Sequence, residues 1–315
     1  MNNNYNPNLS NINYSNSSQI NRGDLSSSQQ PRPENKRKNS CLSCISWLSC
    51  LIVILILIGL TLGGLVFLPG DITLLILGID NAPQNTYVGR SDTIIMTIFN
   101  PVKPYVGMLS IPRDLWVKIP GVGENRINTA HFFAEANQAG SGPEATIETI
   151  LVNTGVKIKY YVRIRFQGLI DIVDAMGGVD IELSEPMAGY QPGRYHLNGN
   201  KALAFARNRT GSDDFFRMKQ GQFLIKSMIK QFLLPQKIVT LPRVLTAVSK
   251  SIDTNLPAWQ IPRIIITLLM VGFDDIDSQV IDRQMVTSYT TDQGANVLLP
   301  QWDLIKPVID KMFGQ

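Results

Sequence analysis

Cysteine and histidine are scarce in this chain, and their scarcity excludes several kinds of site. Of the 315 residues, three are cysteine and two are histidine. Because Cys41, Cys44 and Cys50 all lie near the start of the chain, the rest has no disulfide or thiol chemistry available. His131 and His196 are too few for a histidine-based zinc cluster. Any metal bound beyond Cys50 should therefore be a hard ion with oxygen ligands.

An excess of one charge is also missing from most of the chain. There are 29 basic and 25 acidic side chains, and residues 1–46 contain five of the basic and two of the acidic ones. The remainder has 24 basic and 23 acidic side chains and is therefore nearly neutral. A basic excess beside an apolar run suits anionic lipid and membrane topology better than nucleic acid. We therefore expect no nucleic-acid partner.

Residues 46–68 form a long apolar run with almost no polar interruption. About 20 helical residues cover the roughly 30 Å of bilayer hydrocarbon, so this run predicts one transmembrane helix. Five basic residues precede it, which predicts a cytoplasmic N-terminus and an extracytoplasmic remainder. The alternative, a cleaved signal peptide, would have an apolar region of about 7 to 15 residues followed by an A-x-A site.

The polar segments on either side of this run differ in composition. Residues 1–45 are rich in Asn and Ser and have no apolar periodicity, which predicts a disordered cytoplasmic tail. Residues 71–315 contain no evident linker and are long enough for one large α/β domain.

The fold class follows from the spacing of apolar residues in this domain. Short β-branched runs predict buried strands at residues 72–79, 93–99 and 105–111. Two helices are expected between Thr129 and Asn153, the second starting at Pro143. A strand at 160–166, a helix at 167–176 and a strand at 179–183 predict a βαβ unit, hence a mixed, partly parallel sheet. Further helices to Pro235 and a last strand at 279–286 are expected to complete the domain.

Charged residues gather where the predicted strands end. Asp80 closes the first strand, Asp92 precedes the second, and Arg113 and Asp114 follow the third. Open α/β sheets bind ligands beyond the carboxyl ends of their strands, so these groups can converge there. The competing interpretation is an Asx turn at Asp80 and a turn or cap role for Asp92.

A second cluster of charge contains Arg207, Arg209 and Arg217. Arg207 and Arg209 are two residues apart, so an extended backbone would direct both guanidinium groups the same way. Such a pair suits phosphate, because each planar group holds two oxygens and stays charged. The alternative is that Asp213 and Asp214 neutralise these arginines in surface ion pairs of at most about 1 kcal/mol each.

The order of several short motifs resembles one protein family. They are GID, VGRSDT, SIPRD, NRINTAH, GGVDIEL and ALAFARNRTGSDDFFR. Together, behind a single apolar segment, they are similar to the LytR-CpsA-Psr cell-wall glycopolymer ligases, from about Leu74 to Gln315. The resemblance implies a three-layer α-β-α fold with an apolar groove for a polyprenyl chain. It also implies transfer of a glycopolymer from polyprenyl diphosphate to peptidoglycan through a phosphodiester, at the membrane.

The resemblance also assigns roles to individual residues. Asp80 and Asp92 match a magnesium-associated acidic pair, and with Arg113 they are the expected catalytic residues. The expected diphosphate-binding residues are Arg90, Arg113, Arg207, Arg209 and Arg217. Mg²⁺ is the expected cofactor. The chain departs from the family pattern at Gly221, where members often have glutamine, so either Lys219 or Gln222 takes that part or diphosphate binding differs in detail.

Two other functions remain compatible with the sequence. With water as acceptor, the same site would be a polyprenyl diphosphate phosphatase. A non-catalytic protein that binds lipid intermediates and attenuates transcription is the second alternative. The segment before the apolar run has no helix-turn-helix motif, which weakens that alternative.

Overall fold

The computed structural model describes residues 40–66, 68–80, 83, 86–208, 214–234, 236 and 240–314. Contacts divide the chain into two units, Met1–Leu55 and Ile56–Gln315. The predicted disordered tail lies almost wholly outside the described residues and stays a prediction. The first described element is helix α1 (Ser40–Val66), which contains most of the apolar run. A search of the described part of the chain finds no helix with the length and apolarity needed to cross a membrane.

The second unit has alternating strands and helices. After α1, the helices are α2 (Asn128–Asn137), α3 (Gly142–Thr154), α4 (Phe166–Ala175), α5 (Gly199–Arg207), α6 (Asp214–Phe232), α7 (Leu241–Ser251), α8 (Gln260–Val271) and α9 (Trp302–Phe313). The strands are β1 (Ile72–Asp80), β2 (Arg90–Asn100), β3 (Tyr105–Ser110), β4 (Trp116–Ile119), β5 (Gly123–Arg126), β6 (Tyr160–Arg165), β7 (Val179–Leu183), β8 (Gly193–Leu197), β9 (Ile252–Thr254), β10 (Asp277–Val280), β11 (Val286–Thr290) and β12 (Asn296–Pro300).

The central sheet has six strands in the order β10-β3-β2-β1-β6-β9. Strand β1 is antiparallel to β2 and parallel to β6, and β3 is parallel to β10. The prediction of a mixed, partly parallel α/β sheet is therefore confirmed. Register defines the two ends of this sheet. Asp80 faces Arg90 at what we call the site end, and Ile72 faces Phe99 at what we call the entry end.

Helices pack on both faces of the sheet, which explains the unbroken apolar runs of its central strands. Leu75, Leu77 and Ile79 on one face of β1 share a core with side chains of α2, α3 and α9. Ile72 and Leu74 on the other face share a core with side chains of α6 and α8. Strands β1, β2 and β3 lie where the sequence predicts them.

The predicted helices after Thr129 are confirmed as α2 and α3. Pro143 lies in the first turn of α3, where its missing N–H costs no hydrogen bond. Gly155 ends that helix in the left-handed conformation, with φ at 79°. A residue with a side chain would be strained there.

The predicted βαβ unit is wrong in its last strand. Strand β7 pairs with β8 in a separate antiparallel hairpin, so β6, α4 and β7 do not share one sheet. Its side chains alternate between buried and exposed, which is typical of a hairpin with one wet face. The last predicted strand, residues 279–286, is also divided. It contains the end of β10, a 3-10 turn at Arg283–Met285 and the start of β11.

Candidate active site

Three strands bring the predicted catalytic residues to the site end of the sheet. Asp80 is the last residue of β1, Asp92 is the third of β2, and Arg113 follows β3. All three line one cavity of about 340 Å³. The ladder between β1 and β2 shifts register just after Gly78, and such irregularities redirect side chains next to sites. The predicted convergence of these groups is thus present in the structure.

Arg113 is surrounded by carboxylates. Its Nη1 lies 3.2 Å from Asp92 Oδ1, its Nε 3.4 Å from Asp114 Oδ2, and its Nη2 3.5 Å from Asp214 Oδ2. Partial burial disfavours the guanidinium charge, but the three carboxylates outweigh burial and raise the pKa of Arg113. The side chain is therefore a permanent cation, held in one orientation by partners on three sides.

Arg207 ends helix α5 and points its guanidinium at β1. Its Nη2 lies 3.3 Å from Asp80 Oδ2, and its Cζ lies 4.7 Å from the centre of the Phe166 ring. The alternative interpretation of the sequence paired the cluster arginines with Asp213 and Asp214. Asp214 pairs with Arg113 and Arg217, and Asp213 lies outside the described residues.

A buried glutamine holds the end of α5 in place. Gln220 on α6 has no exposed surface, and with its amide oriented to satisfy both atoms, its nitrogen donates to Phe205 O and Asn208 O at 3.2 Å each. Phe205 is in the last turn of α5 and Asn208 directly follows the helix, where carbonyls begin to lack donors within the helix. Sequence reasoning missed Gln220, because nothing in the local pattern marks a glutamine on one helix as a cap for another.

The remaining predicted arginines differ in position. Arg217 on α6 lines the cavity and is mostly buried, and its Nη2 lies 3.5 Å from Asp214 Oδ1. Arg90 is exposed at the start of β2, opposite Asp80 in the ladder, and is not among the described residues that line the cavity. Arg209 lies outside the described residues.

Away from the charged residues, the cavity wall is apolar. Its lining includes Ile76, Ile164, Phe166, Leu169, Leu203, Leu224 and Ile225. Gly221 also lines it, and a Cβ built on Gly221 would meet no atom within 4 Å. The glycine that departs from the family pattern therefore leaves open space in this cavity. Among the apolar helix faces considered from sequence, Leu169 and Leu224 line the cavity. Val173 shares a core with both but is not among the described residues that line the cavity.

Gln222 lies in the interior of the fold and is not among the described residues that line the cavity. Its buried amide nitrogen donates to Ser110 Oγ at 2.8 Å and to Gln279 O at 2.8 Å. These bonds join α6 to β3 and β10, so this amide is already engaged within the fold.

A buried polar network supports the segment before β2. Arg163 of β6 forms two ion pairs: its Nη1 lies 2.7 Å from Glu135 Oε2, and its Nε lies 2.7 Å from Asp253 Oδ2. Its Nη1 also contacts His131 Nε2 at 3.3 Å, and His131 Nδ1 contacts Gly89 O at 3.0 Å. Because a carbonyl only accepts, His131 must carry its proton on Nδ1. Gly89 directly precedes Arg90, so the network fixes the backbone from which Arg90 projects.

Burial determines the protonation states in this network. Burial lowers the pKa of His131, and the nearby Arg163 lowers it further, so the imidazole is neutral. Burial alone would raise the pKa of Glu135. Hydrogen bonds from Arg163 and from the backbone N–H groups of Gly140 and Gly142 outweigh that effect and lower it. The network thus contains a neutral histidine beside an ionised glutamate.

Comparison with known proteins places this geometry in a family. The profile of the LytR_cpsA_psr family matches residues 69–306. The polyisoprenyl-teichoic acid–peptidoglycan teichoic acid transferase TagU of Halalkalibacterium halodurans is 36% identical over 192 residues, which cover 58% of this chain and 60% of that protein. Biofilm regulatory protein A of Streptococcus mutans serotype c is 28% identical over 254 residues, 74% of this chain and 61% of that protein. The matches thus span about three fifths of the length of these curated relatives.

A solved structure has the same fold. The crystal structure of B. subtilis TagV aligns with a TM-score of 0.62 at 22% identity, covering 78% of this chain and 97% of that one. At that identity the likeness concerns the fold alone. The family profile covers more than half of the residues, including Asp80, Asp92, Arg113 and the cluster from Arg207 to Arg217. This chain is therefore a member of the LytR_cpsA_psr family.

Proposed function

We propose that this protein transfers a glycopolymer from a polyprenyl diphosphate carrier to peptidoglycan by forming a phosphodiester. The observation that carries the proposal is a single cavity with charged groups at one part and an apolar wall elsewhere. A lipid diphosphate has the same division, with concentrated negative charge beside a hydrocarbon chain. The TagU relative is a polyisoprenyl-teichoic acid–peptidoglycan teichoic acid transferase, which supports this substrate class.

The arginines are proposed to bind the diphosphate. Arg113 and Arg217 line the cavity and are mostly buried, so they can contact phosphate oxygens away from bulk water. Arg207 is 51% exposed, and its guanidinium lies at the cavity wall beside Asp80. Arg90 and Arg209 are proposed as further phosphate contacts on the strength of their motif positions.

Mg²⁺ is proposed as the cofactor, held by Asp80 and Asp92. Both carboxylates line the cavity, and carboxylate oxygens are ligands that Mg²⁺ prefers. No group of three or more potential metal-binding side chains occurs among the residues whose positions are described. A site of two carboxylates completed by substrate phosphate oxygens and water fits the way this ion binds with phosphates. When bound, Mg²⁺ would neutralise part of the diphosphate charge.

The reaction is proposed to proceed by attack of an acceptor sugar hydroxyl on the distal phosphorus. The P–O–P bond breaks as the new P–O bond forms, and polyprenyl monophosphate departs. Arg113, Arg207 and Arg217 stabilise the charge that develops on the phosphoryl and bridging oxygens, because they are fixed before the reaction begins. The hydroxyl proton passes to a base, for which Asp92 and Asp80 are the candidates. Full turnover by Asp92→Asn at saturating Mg²⁺ would exclude Asp92 from that role.

The apolar run is proposed to anchor the chain, with the N-terminus cytoplasmic and residues 71–315 outside the membrane. Its support is compositional. Between Leu51 and Leu60 the side chains of α1 are aliphatic apart from Gly59, and they are exposed. Basic residues concentrate before this run. This topology would put the cavity in the compartment that contains peptidoglycan.

Product analysis tests the proposed reaction. The full chain in detergent micelles is incubated with Mg²⁺, a short lipid diphosphate glycan and peptidoglycan fragments, and products are identified by mass spectrometry. A phosphodiester-linked glycan on the fragment, with release of polyprenyl monophosphate, is the expected result. Free glycan phosphate would instead indicate the phosphatase. Intact donor that co-purifies with the protein would indicate binding without catalysis. Transfer that survives exhaustive chelation would refute the Mg²⁺ assignment.

A further inference from the structure

Helix α8 is joined to the backbone that leaves the apolar run. Arg263 is buried, and its Nη2 donates to Leu68 O at 2.7 Å and to Gly70 O at 3.1 Å. Its Nη1 donates to Gln260 Oε1 at 3.1 Å. Leu68 and Gly70 follow α1, which ends at Val66. The structure therefore fixes α8 beside the point at which the chain passes from the apolar run into the folded domain.

The outer side of α8 is apolar and without charge. From Leu256 to Phe273, Arg263 is the one charged residue, and its side chain is buried. Four large apolar side chains are exposed, and we call them the α8 surface: Trp259 at 47%, Ile261 at 46%, Leu269 at 60% and Met270 at 53%. Several large apolar side chains exposed on one uncharged helix are typical of an interaction site.

The α8 surface lies at the entry end of the sheet. The inner side of α8, through Ile264 and Leu268, shares a core with Ile72 and Phe99, the pair that defines that end. Gln260 Nε2 also donates to the hydroxyl of Tyr160, the first residue of β6, at 3.2 Å. The uncharged helix and the end of the apolar run are thus on the same end of the domain, opposite Asp80 and Arg90.

We infer that the α8 surface docks on the outer leaflet of the lipid bilayer. The inference rests on the proposed membrane anchor, because that anchor would bring the entry end of the domain to the lipid surface. A helix with one apolar side, fixed beside the exit of a membrane segment, can bury that side among lipid head groups and the first acyl carbons. Tryptophan at the start of such a helix is typical of the membrane interface.

Docking at α8 would orient the cavity relative to the lipid. Ile76 and Ile225 line the cavity and also belong to the core that includes Ile264 and Leu268 of α8. The apolar part of the cavity therefore extends towards the docked end. The eight residue steps from Ile72 to Asp80, at about 3.3 Å each, put the charged part roughly 26 Å from the entry end. When the lipid diphosphate binds, its phosphates would therefore lie about that distance from the lipid surface.

A fluorescent label at Leu269 tests the docking in the full chain. Cys41, Cys44 and Cys50 are first replaced by serine, Leu269→Cys is labelled with an environment-sensitive dye, and the protein is reconstituted into vesicles of phosphatidylcholine and phosphatidylglycerol. Docking predicts a blue shift of the emission and loss of most of it to nitroxide-labelled lipid. Phe133→Cys is the matched control, since this helical side chain is 40% exposed. It lies on α2 near His131, which contacts Gly89 at the site end. Its emission should not change.

A third label and an introduced charge separate the possible failures. Quenching of a label at Leu57→Cys in α1, with none at Leu269, would confirm the anchor and overturn the docking surface. No quenching at either position would overturn both. A density-dependent blue shift at Leu269 without quenching by lipid would indicate a second copy of the chain and also refute the proposal. Ile261→Glu should restore an aqueous emission to the Leu269 label, whereas Leu304→Glu on α9, at a side chain of similar exposure, should leave quenching intact.

Discussion

The pair formed by Arg163 and Glu135 offers a quantitative test of how the buried network supports the site. Both side chains are almost fully buried, and their atoms approach to 2.7 Å. The perturbation is a double-mutant cycle of Arg163→Met, Glu135→Leu and the two combined. Its purpose is to separate the attraction between the two charges from the cost of leaving one of them alone.

The expected magnitudes follow from the partners that each variant leaves behind. Arg163→Met leaves the Glu135 carboxylate buried with only the N–H groups of Gly140 and Gly142, at 2.9 and 3.0 Å. Loss of one partner of a buried ion pair costs about 3–5 kcal/mol. Glu135→Leu should cost less, about 2–3 kcal/mol, because Arg163 keeps its ion pair with Asp253. The free energy of unfolding of the double variant should be about 2 kcal/mol higher than the sum of the two single losses predicts.

The assay is urea unfolding of the full chain in detergent micelles, followed by tryptophan fluorescence. The free energy of unfolding is compared between the wild type, the two single variants and the double variant. Costs that add within about 0.5 kcal/mol would show that the two residues do not interact energetically. A cost below about 1 kcal/mol for Arg163→Met would show that water or another group compensates Glu135, and would refute the reasoning.

Three further predictions concern pH, packing and catalysis. Burial lowers the pKa of His131, so unfolding binds protons and stability should fall as pH drops below about 6.5; His131→Gln should remove that part of the pH dependence, and an unchanged profile would contradict it. Gly221→Ala should raise the free energy of unfolding by up to about 1 kcal/mol, since the new methyl group enters open space within α6; a loss of stability would contradict it. Arg207→Ala should lower transfer about 10²- to 10³-fold with less than about 1 kcal/mol lost in stability, whereas Arg194→Ala, at an exposed ion pair with Glu182, should change neither. Mass spectrometry and urea unfolding check the last pair.

The parts of the fold that sequence predicts are those whose local pattern has one physical cause. The predicted runs in β1, β2 and β3 are mostly apolar because helices cover both faces of the sheet. Helix α3 is marked by Pro143 at its start and Gly155 at its end. Strand β7 was assigned to the wrong sheet because its alternation shows one wet face but does not identify the strand with which it pairs.

The site was predictable to the extent that its residues stand at strand ends. Asp80, Asp92 and Arg113 converge because three neighbouring strands end or begin together. The pairing of Arg207 with Asp80 joins residues far apart in sequence and depends on where α5 ends. Arg163 gave no signal either, because an arginine in an alternating strand is usually on the wet face. Glu135 and His131 of α2 and the ring of Tyr87 cover its guanidinium, and the sequence around Arg163 does not indicate these contacts.

Charge balance supports the proposal that Mg²⁺ binds at this site. Four carboxylates and four arginines are linked by ion pairs there among the described residues: Asp80, Asp92, Asp114, Asp214, Arg113, Arg126, Arg207 and Arg217. The formal charges of these eight residues sum to zero, so by themselves they attract a diphosphate little more than a neutral surface would. Arg90, opposite Asp80 in the ladder, adds one positive charge. A phosphate that contacts one of these arginines also comes close to the carboxylate paired with it, which carries charge of the same sign. A divalent cation between Asp80, Asp92 and the phosphates would relieve that repulsion. Its two positive charges would offset negative charge on the carboxylates and phosphates that the arginines alone would otherwise have to offset. Chelation should therefore weaken carrier binding as well as turnover, and the chelation arm of the product assay distinguishes these effects when bound donor is measured beside released polyprenyl monophosphate.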